Sequence, residues 1–96
     1  MPRVQVTLPT MLATLVRGDR QFIVEANDIK GVVEALLARH PELRVHLLDE
    51  DGAVRQHVAL FHNDHAARFM VTPVADGDTF TVLQAVSGGG ATVQVS

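Results

Sequence analysis

The chain has 96 residues, 47% of them apolar and 20% charged, with a formal charge of -3 and no cysteine. That length suits one hydrophobic core and leaves no room for a second, and so apolar a composition argues against disorder. Without cysteine there is no disulfide, no thiolate nucleophile, no Cys-x-x-Cys redox pair and no Cys-ligated zinc. The basic residues form no cluster, which speaks against nucleic acid as a partner; the net charge is compatible with a protein partner offering a basic groove. No window approaches the roughly 18 to 20 apolar residues of a membrane span, and the start lacks the basic and apolar regions of a secretory signal. The expected location is therefore the cytoplasm, with no membrane partner.

Arg3 to Leu8 alternates cleanly, with Val4, Val6 and Leu8 on one face, and predicts a half-buried strand. Pro9 ends its ladder, and Thr10 to Leu15 is a short segment whose Met11, Leu12 and Leu15 are expected to turn back over the core. Val16 to Arg20 is a turn containing Gly-Asp, after which Gln21 to Glu25 reads as a second strand. Strands joined this closely form an antiparallel hairpin.

A helix is predicted from about Asp28 to Arg39. Asn27 or Asp28 caps it, and Ile29, Val32, Val33, Leu36 and Leu37 recur at spacings of three and four. Pro41 limits it to about His40, because the residue before a proline is pushed out of helical geometry. Gly31 inside the first turn costs about 1 kcal/mol relative to alanine, and nothing in the sequence explains it. Glu42 to Leu48 is ambiguous between a short helix and a loop, with Leu43, Leu47 and Leu48 available to reach inward.

Asp49-Glu50-Asp51-Gly52 reads as a solvated turn, since its carboxylates lack the spacing of a calcium loop. His57 to Phe61 is a strand apolar on both faces: Val58 and Leu60 lie on one, Ala59 and Phe61 on the other. One face meets the helix, so the other meets a second element or is a sticky surface. Asn63-Asp64 is the turn to a short segment around Ala66 to Met70, and Pro73-Val74-Ala75 leads to a final turn and strand. His57, His62 and His65 are close in sequence, but a strand and turn bring at most two of them together, which favours solvated or locally hydrogen-bonded histidines over a metal site. Asp76 and Asp78 are likewise assigned to turn chemistry and not to acid–base work. No residue is assigned a catalytic or metal-binding role.

The last quarter organises the rest. Asp76-Gly77-Asp78 supplies a tight turn, Phe80 and Val82 alternate with Thr79 and Thr81, and Gly88-Gly89-Gly90 follow. Glycines without a Cβ thread channels too narrow for other residues. The run Asp76-Gly77-Asp78-Thr79-Phe80-Thr81-Val82-Leu83-Gln84-Ala85-Val86-Ser87-Gly88-Gly89 resembles the end of the ubiquitin-like sulfur-carrier proteins. That group contains the small subunit of molybdopterin synthase and the thiamine and cysteine-biosynthesis carriers. The likeness extends weakly from Val4 to Gly89 in the order of elements. Two departures stand out: Gln84 replaces the usual linker proline, and seven residues, Gly90 to Ser96, follow the double glycine.

Strand, strand, helix, strand, short strand, strand matches the α+β architecture of ubiquitin, a β-grasp with one main helix on one face of a mixed sheet. The first and last long strands then lie parallel at its centre, with the tail at the sheet's edge. A ferredoxin-like fold is the alternative and needs a second full helix. The expected organisation is a domain over residues 1–86 and a tail over 87–96 that carries a removable extension.

The resemblance implies a protein with no active site, itself the substrate of other enzymes. A metalloprotease-type peptidase would cleave after Gly89; an adenylating enzyme resembling the ubiquitin-activating class would activate the Gly89 carboxylate with ATP; a sulfurtransferase or cysteine desulfurase would supply sulfur as a persulfide. The resulting thiocarboxylate would serve a sulfur-accepting biosynthetic enzyme, with a slight lean toward a cysteine-type or specialised pathway. No cofactor would be bound. Gly88 and Gly89 would thread the partners' sites, and Ala59 and Phe61 would form the docking surface. The rival is a non-carrier interaction module in which the glycines are a hinge and residues 91–96 an added strand.

Overall fold

The computed structural model describes residues 1–84. Five strands, β1 (Arg3–Thr7), β2 (Gln21–Glu25), β3 (Val58–His62), β4 (His65–Ala66) and β5 (Thr79–Gln84), form one mixed sheet in the order β2-β1-β5-β3-β4. β1 pairs antiparallel with β2 and parallel with β5, so the first and last long strands are neighbours at the centre, as the element order predicts. β5 also pairs antiparallel with β3. β5, the strand that precedes the expected tail, is thus central in the sheet, and residues 87–96 lie outside the described residues.

The alternation of each strand sets its faces. Val4, Val6, Phe22, Val24, Val58, Leu60, Phe80 and Val82 are buried toward the main helix, α2 (Ile29–Arg39). That helix answers with Ile29, Val32, Val33 and Leu36, all buried, while Leu37 packs at the rim. Three of the N–H groups at its start have partners outside the helix ladder. The Asp28 carboxylate accepts from Gly31 N at 2.7 Å, and the N–H groups of Ile29 and Lys30 donate to the carbonyls of Thr72 and Met70. These are donors that a helix leaves without an intrahelical partner. The loop before β5 is thereby pinned to the helix.

Gly31 is explained by the same cap. A Cβ there would lie 3.1 Å from the Cβ of Ala26 and 3.1 Å from the capping oxygen of Asp28, so the crowding comes from the loop leading into the helix and not from the sheet.

Thr10–Leu15 forms a short helix, α1, closing one end of the core. The expected inward residues were only partly right. Leu12, Ala13 and Val16 are buried, whereas Met11 and Leu15 are 63% and 46% exposed. Leu12 N and Ala13 N both donate to Pro9 O, which fixes the rotation of this turn. The ambiguous segment resolves into a 3-10 turn, Pro41–Leu43, followed by α3, Arg44–Leu47, with Leu43, Leu47 and Leu48 all buried. β4 is only two residues long, shorter than the Ala66 to Met70 segment expected.

Candidate functional site

α2 covers one face of the sheet, and among the described residues the opposite face is open. Gln21, Thr7, Thr81, Phe61 and Ala66 are successive cross-strand neighbours across all five strands. Leu83 stands opposite Ala59 in the adjoining row. Ala59 is exposed, Phe61 is half-buried and Leu83 is 46% exposed. Phe61, Ala59, Leu83 and the Thr81 methyl therefore form one apolar patch, because residues two apart on a strand share a face. The doubly apolar strand thus turns Val58 and Leu60 inward and Ala59 and Phe61 outward. Leu83 is the member that residue-by-residue inspection missed, although the alternation that turns Thr79 and Thr81 outward carries on to it.

Charge is almost absent from this face. Arg3 and Glu25, cross-strand partners at the corner where β1 begins, are its only ionised strand residues. The half toward the end of β5 presents hydroxyl, amide and hydrocarbon groups alone. Such a surface associates by excluding water from apolar area and by hydrogen bonding, not by ion pairing.

The end of β5 projects beyond β1. Thr7, the last residue of β1, stands opposite Thr81, and β5 continues to Gln84 beside Val58. The apolar patch thus adjoins the C-terminal end of β5. The Gln84 carboxamide oxygen is buried without a hydrogen-bond partner among the described residues. Gly88 and Gly89, the expected threading and modification residues, lie outside the described residues.

At its other end β5 is set by the Asp76-Gly77-Asp78 turn. Arg3 N donates to Asp76 Oδ1 at 2.9 Å, Gly77 N donates to Arg3 O at 2.9 Å, and Gln5 N donates to Asp78 O at 2.9 Å. Gly77 has φ +91, a conformation that favours glycine. Asp78 Oδ2 accepts from Ala75 N at 2.8 Å and from His62 Nε2 at 2.6 Å. The His62 imidazole first, and the Ala75 N–H second, hold the Asp78 carboxyl below its ordinary value against the opposing effect of burial. The Asp76 carboxylate and the Asp78 carbonyl thus fix β5 beside β1, while the Asp78 carboxylate closes the turn and ties it to β3.

The remaining sequence candidates are dispersed. His65 stands opposite His62 but is exposed, and His57 is exposed just before β3. Asp49 Oδ1 accepts from Asp51 N and Ala53 N, so that acidic stretch is a turn closed by its own first carboxylate, with Gly52 at φ +82.

An open, nearly uncharged face beside the end of a central strand, on a sheet with parallel first and last strands under one main helix, defines a ubiquitin-like β-grasp protein. The ThiS family model matches residues 6–89, and the chain belongs to that ubiquitin-like sulfur-carrier family. "Sulfur carrier protein CysO" of Mycobacterium tuberculosis is 31% identical over 91 residues, covering 90% of this chain and 98% of the relative. The crystal structure of small archaeal modifier protein 1 from Haloferax volcanii superposes with a TM-score of 0.81 at 28% identity, covering 91% and 99% of the two chains. A chain of the Amycolatopsis orientalis BexX/CysO complex superposes with a TM-score of 0.78 at 29% identity, covering 90% and 99%.

Proposed function

We propose that this protein is a sulfur carrier whose working form ends at Gly89. The observation that carries this is the extent of the family match, which runs through the double glycine to Gly89 and leaves Gly90 to Ser96 outside. Only a free carboxylate can be adenylated, so the seven residues after Gly89 have to be removed by a peptidase first. The Gly89 carboxylate oxygen then attacks the α-phosphate of ATP on an adenylating enzyme, and pyrophosphate leaves. The terminal sulfur of a persulfide on the donor displaces AMP, giving an acyl disulfide. A thiol cleaves its S–S bond and leaves the thiocarboxylate. The protein contributes no catalytic group to these steps. It contributes a body that docks by the face around Ala59, Phe61 and Leu83, and a glycine thread that reaches the reacting centre.

Relatives support both halves. The curated relative is named a sulfur carrier, and solved relatives are found in complexes: CysO with BexX, and subunits 1 and 2 of molybdopterin-converting factor from Helicobacter pylori. The molybdopterin complex superposes with a TM-score of 0.62, against 0.76 for Mycobacterium tuberculosis CysO, at 28% and 30% identity. The curated relative at 31% identity is named CysO, which supports a cysteine-type or specialised pathway as the sulfur's destination.

The test is ATP–pyrophosphate exchange with the adenylating enzyme of the same organism. Exchange is expected with the form ending at Gly89 and not with the full chain. Exchange by neither form would leave the non-carrier module as the better account.

A further inference from the structure

The pole at the C-terminal end of β5 carries a turn with more arginine than carboxylate. Residues 16–20 link α1 to β2, and Leu8 N donates to Arg20 O at 2.8 Å, which sets this turn beside the end of β1 and one strand away from the end of β5. Arg39, at the end of α2, joins it: its Nε donates to Asp19 Oδ2 at 2.9 Å and its guanidinium lies 4.6 Å from the Phe22 ring centre. His40 Nε2 meets the same Asp19 oxygen at 2.7 Å. The one carboxylate of the turn is therefore occupied by Arg39 and His40, leaving Arg17 and Arg20 unbalanced. Arg20 donates only to the Leu8 carbonyl, at 3.3 Å, and exposed Arg17 makes no side-chain hydrogen bond or ion pair among the described residues.

Arg17 also sits where an arginine is unfavourable. Its φ is +60, in the left-handed region that costs a residue with a Cβ about 1 to 2 kcal/mol. Gly18 beside it, at φ +80, takes such a conformation freely. A glycine at 17 would suit the turn better, and no contact among the described residues repays the arginine. Backbone strain retained without a structural return points to a use outside the fold.

Resting on the carrier reading above, we propose that Arg17, backed by Arg20, pairs with a carboxylate on the rim of the enzyme that receives the tail. Reach supports this. The five residues after Gln84, as far as Gly89, span at most about 18 Å fully extended, so the mouth of the partner's site must come up against this pole of the body. The docking face itself is uncharged near the end of β5, so it attracts a partner but cannot orient it at a distance. The chain as a whole carries a charge of -3, so long-range attraction to an acidic surface depends on local arginines such as these. A positive corner beside the exit turns the carrier tail first, as complementary rim charges do at other interfaces.

The form ending at Gly89 is assayed with the adenylating enzyme of the same organism and ATP, at low and raised ionic strength, as wild type, Arg17→Gly and Arg17→Glu. Arg17→Gly is expected to melt at the same or a higher temperature, yet to raise KM for the carrier about fivefold at low salt with kcat unchanged. Arg17→Glu raises KM further, and the wild-type advantage shrinks as salt screens the pair. A KM for Arg17→Gly within about twofold of wild type, or a lower melting temperature, would overturn the proposal while leaving the carrier reading intact. No adenylation of the wild type would overturn both.

Discussion

Asp78 and His62 meet at 2.6 Å across the interval between the turn before β5 and the end of β3. The pair joins the two strands that carry the apolar patch, at the end of β5 opposite the tail. Asp78 also accepts from Ala75 N, so one carboxylate closes its own turn and ties that turn to the neighbouring strand.

A pH dependence follows from this pair. Asp78 is held below its ordinary value in the fold, so the unfolded chain takes up its proton more readily. The pair's stabilisation is fully present above the unfolded value of about 4 and fades as pH falls through the lower folded value. Denaturation midpoints of wild type and Asp78→Asn are expected to differ most between about pH 5 and 7 and to converge toward about pH 2. A gap that stays constant over that range would show that the carboxyl is not held low.

The cap of α2 makes a second prediction against simple helix propensity. Gly31→Ala would gain about 1 kcal/mol in an open helix, but here the added methyl meets Ala26 and the capping oxygen at 3.1 Å each. Relieving that contact displaces Asp28, whose cap is worth about 1 kcal/mol. We expect urea denaturation to show Gly31→Ala no more stable than wild type and Asp28→Ala about 1 kcal/mol less stable. A Gly31→Ala variant stabilised by the full propensity gain would mean that the loop at Ala26 yields freely.

Neighbours on β3 separate stability from docking. Leu60 is 7% exposed among the core side chains, so Leu60→Ala is expected to cost about 2 to 5 kcal/mol. Phe61, one residue on, faces outward. Phe61→Glu should unfold cooperatively near the wild-type midpoint yet bind the adenylating enzyme at least about tenfold more weakly, as expected for a central apolar anchor. Wild-type affinity in Phe61→Glu would remove this face from the interface.

The strands were legible because each alternates with period two, and because β3, apolar on both sides, declared an outer face before any neighbour was known. The central placement of β5 followed from connectivity. What could not be read depends on contacts distant in sequence. Ala13 is too small to signal burial, yet the carbonyl of Pro9 rotates α1 so that Leu12 and Ala13 face inward and Leu15 does not. The reason for Gly31 lies in Ala26, which no helical spacing names. The His62–Asp78 contact spans sixteen residues, and the positive φ of Arg17 has no sequence signature. Ala59 and Phe61 were placed correctly on the open face, whereas Gly88 and Gly89 rest on the sequence pattern and family match alone.

A protein that works as a thiocarboxylate at Gly89 carries that group in the cell, where the intact mass of the protein recovered from its native cells reveals it. A species lacking Gly90 to Ser96 is expected, with a second species heavier by the difference between one sulfur and one oxygen, which should gain the mass of the alkyl group on alkylation and lose the increment on hydrolysis. Recovery of the full-length chain alone, under conditions where the sulfur-requiring pathway is active, would contradict it.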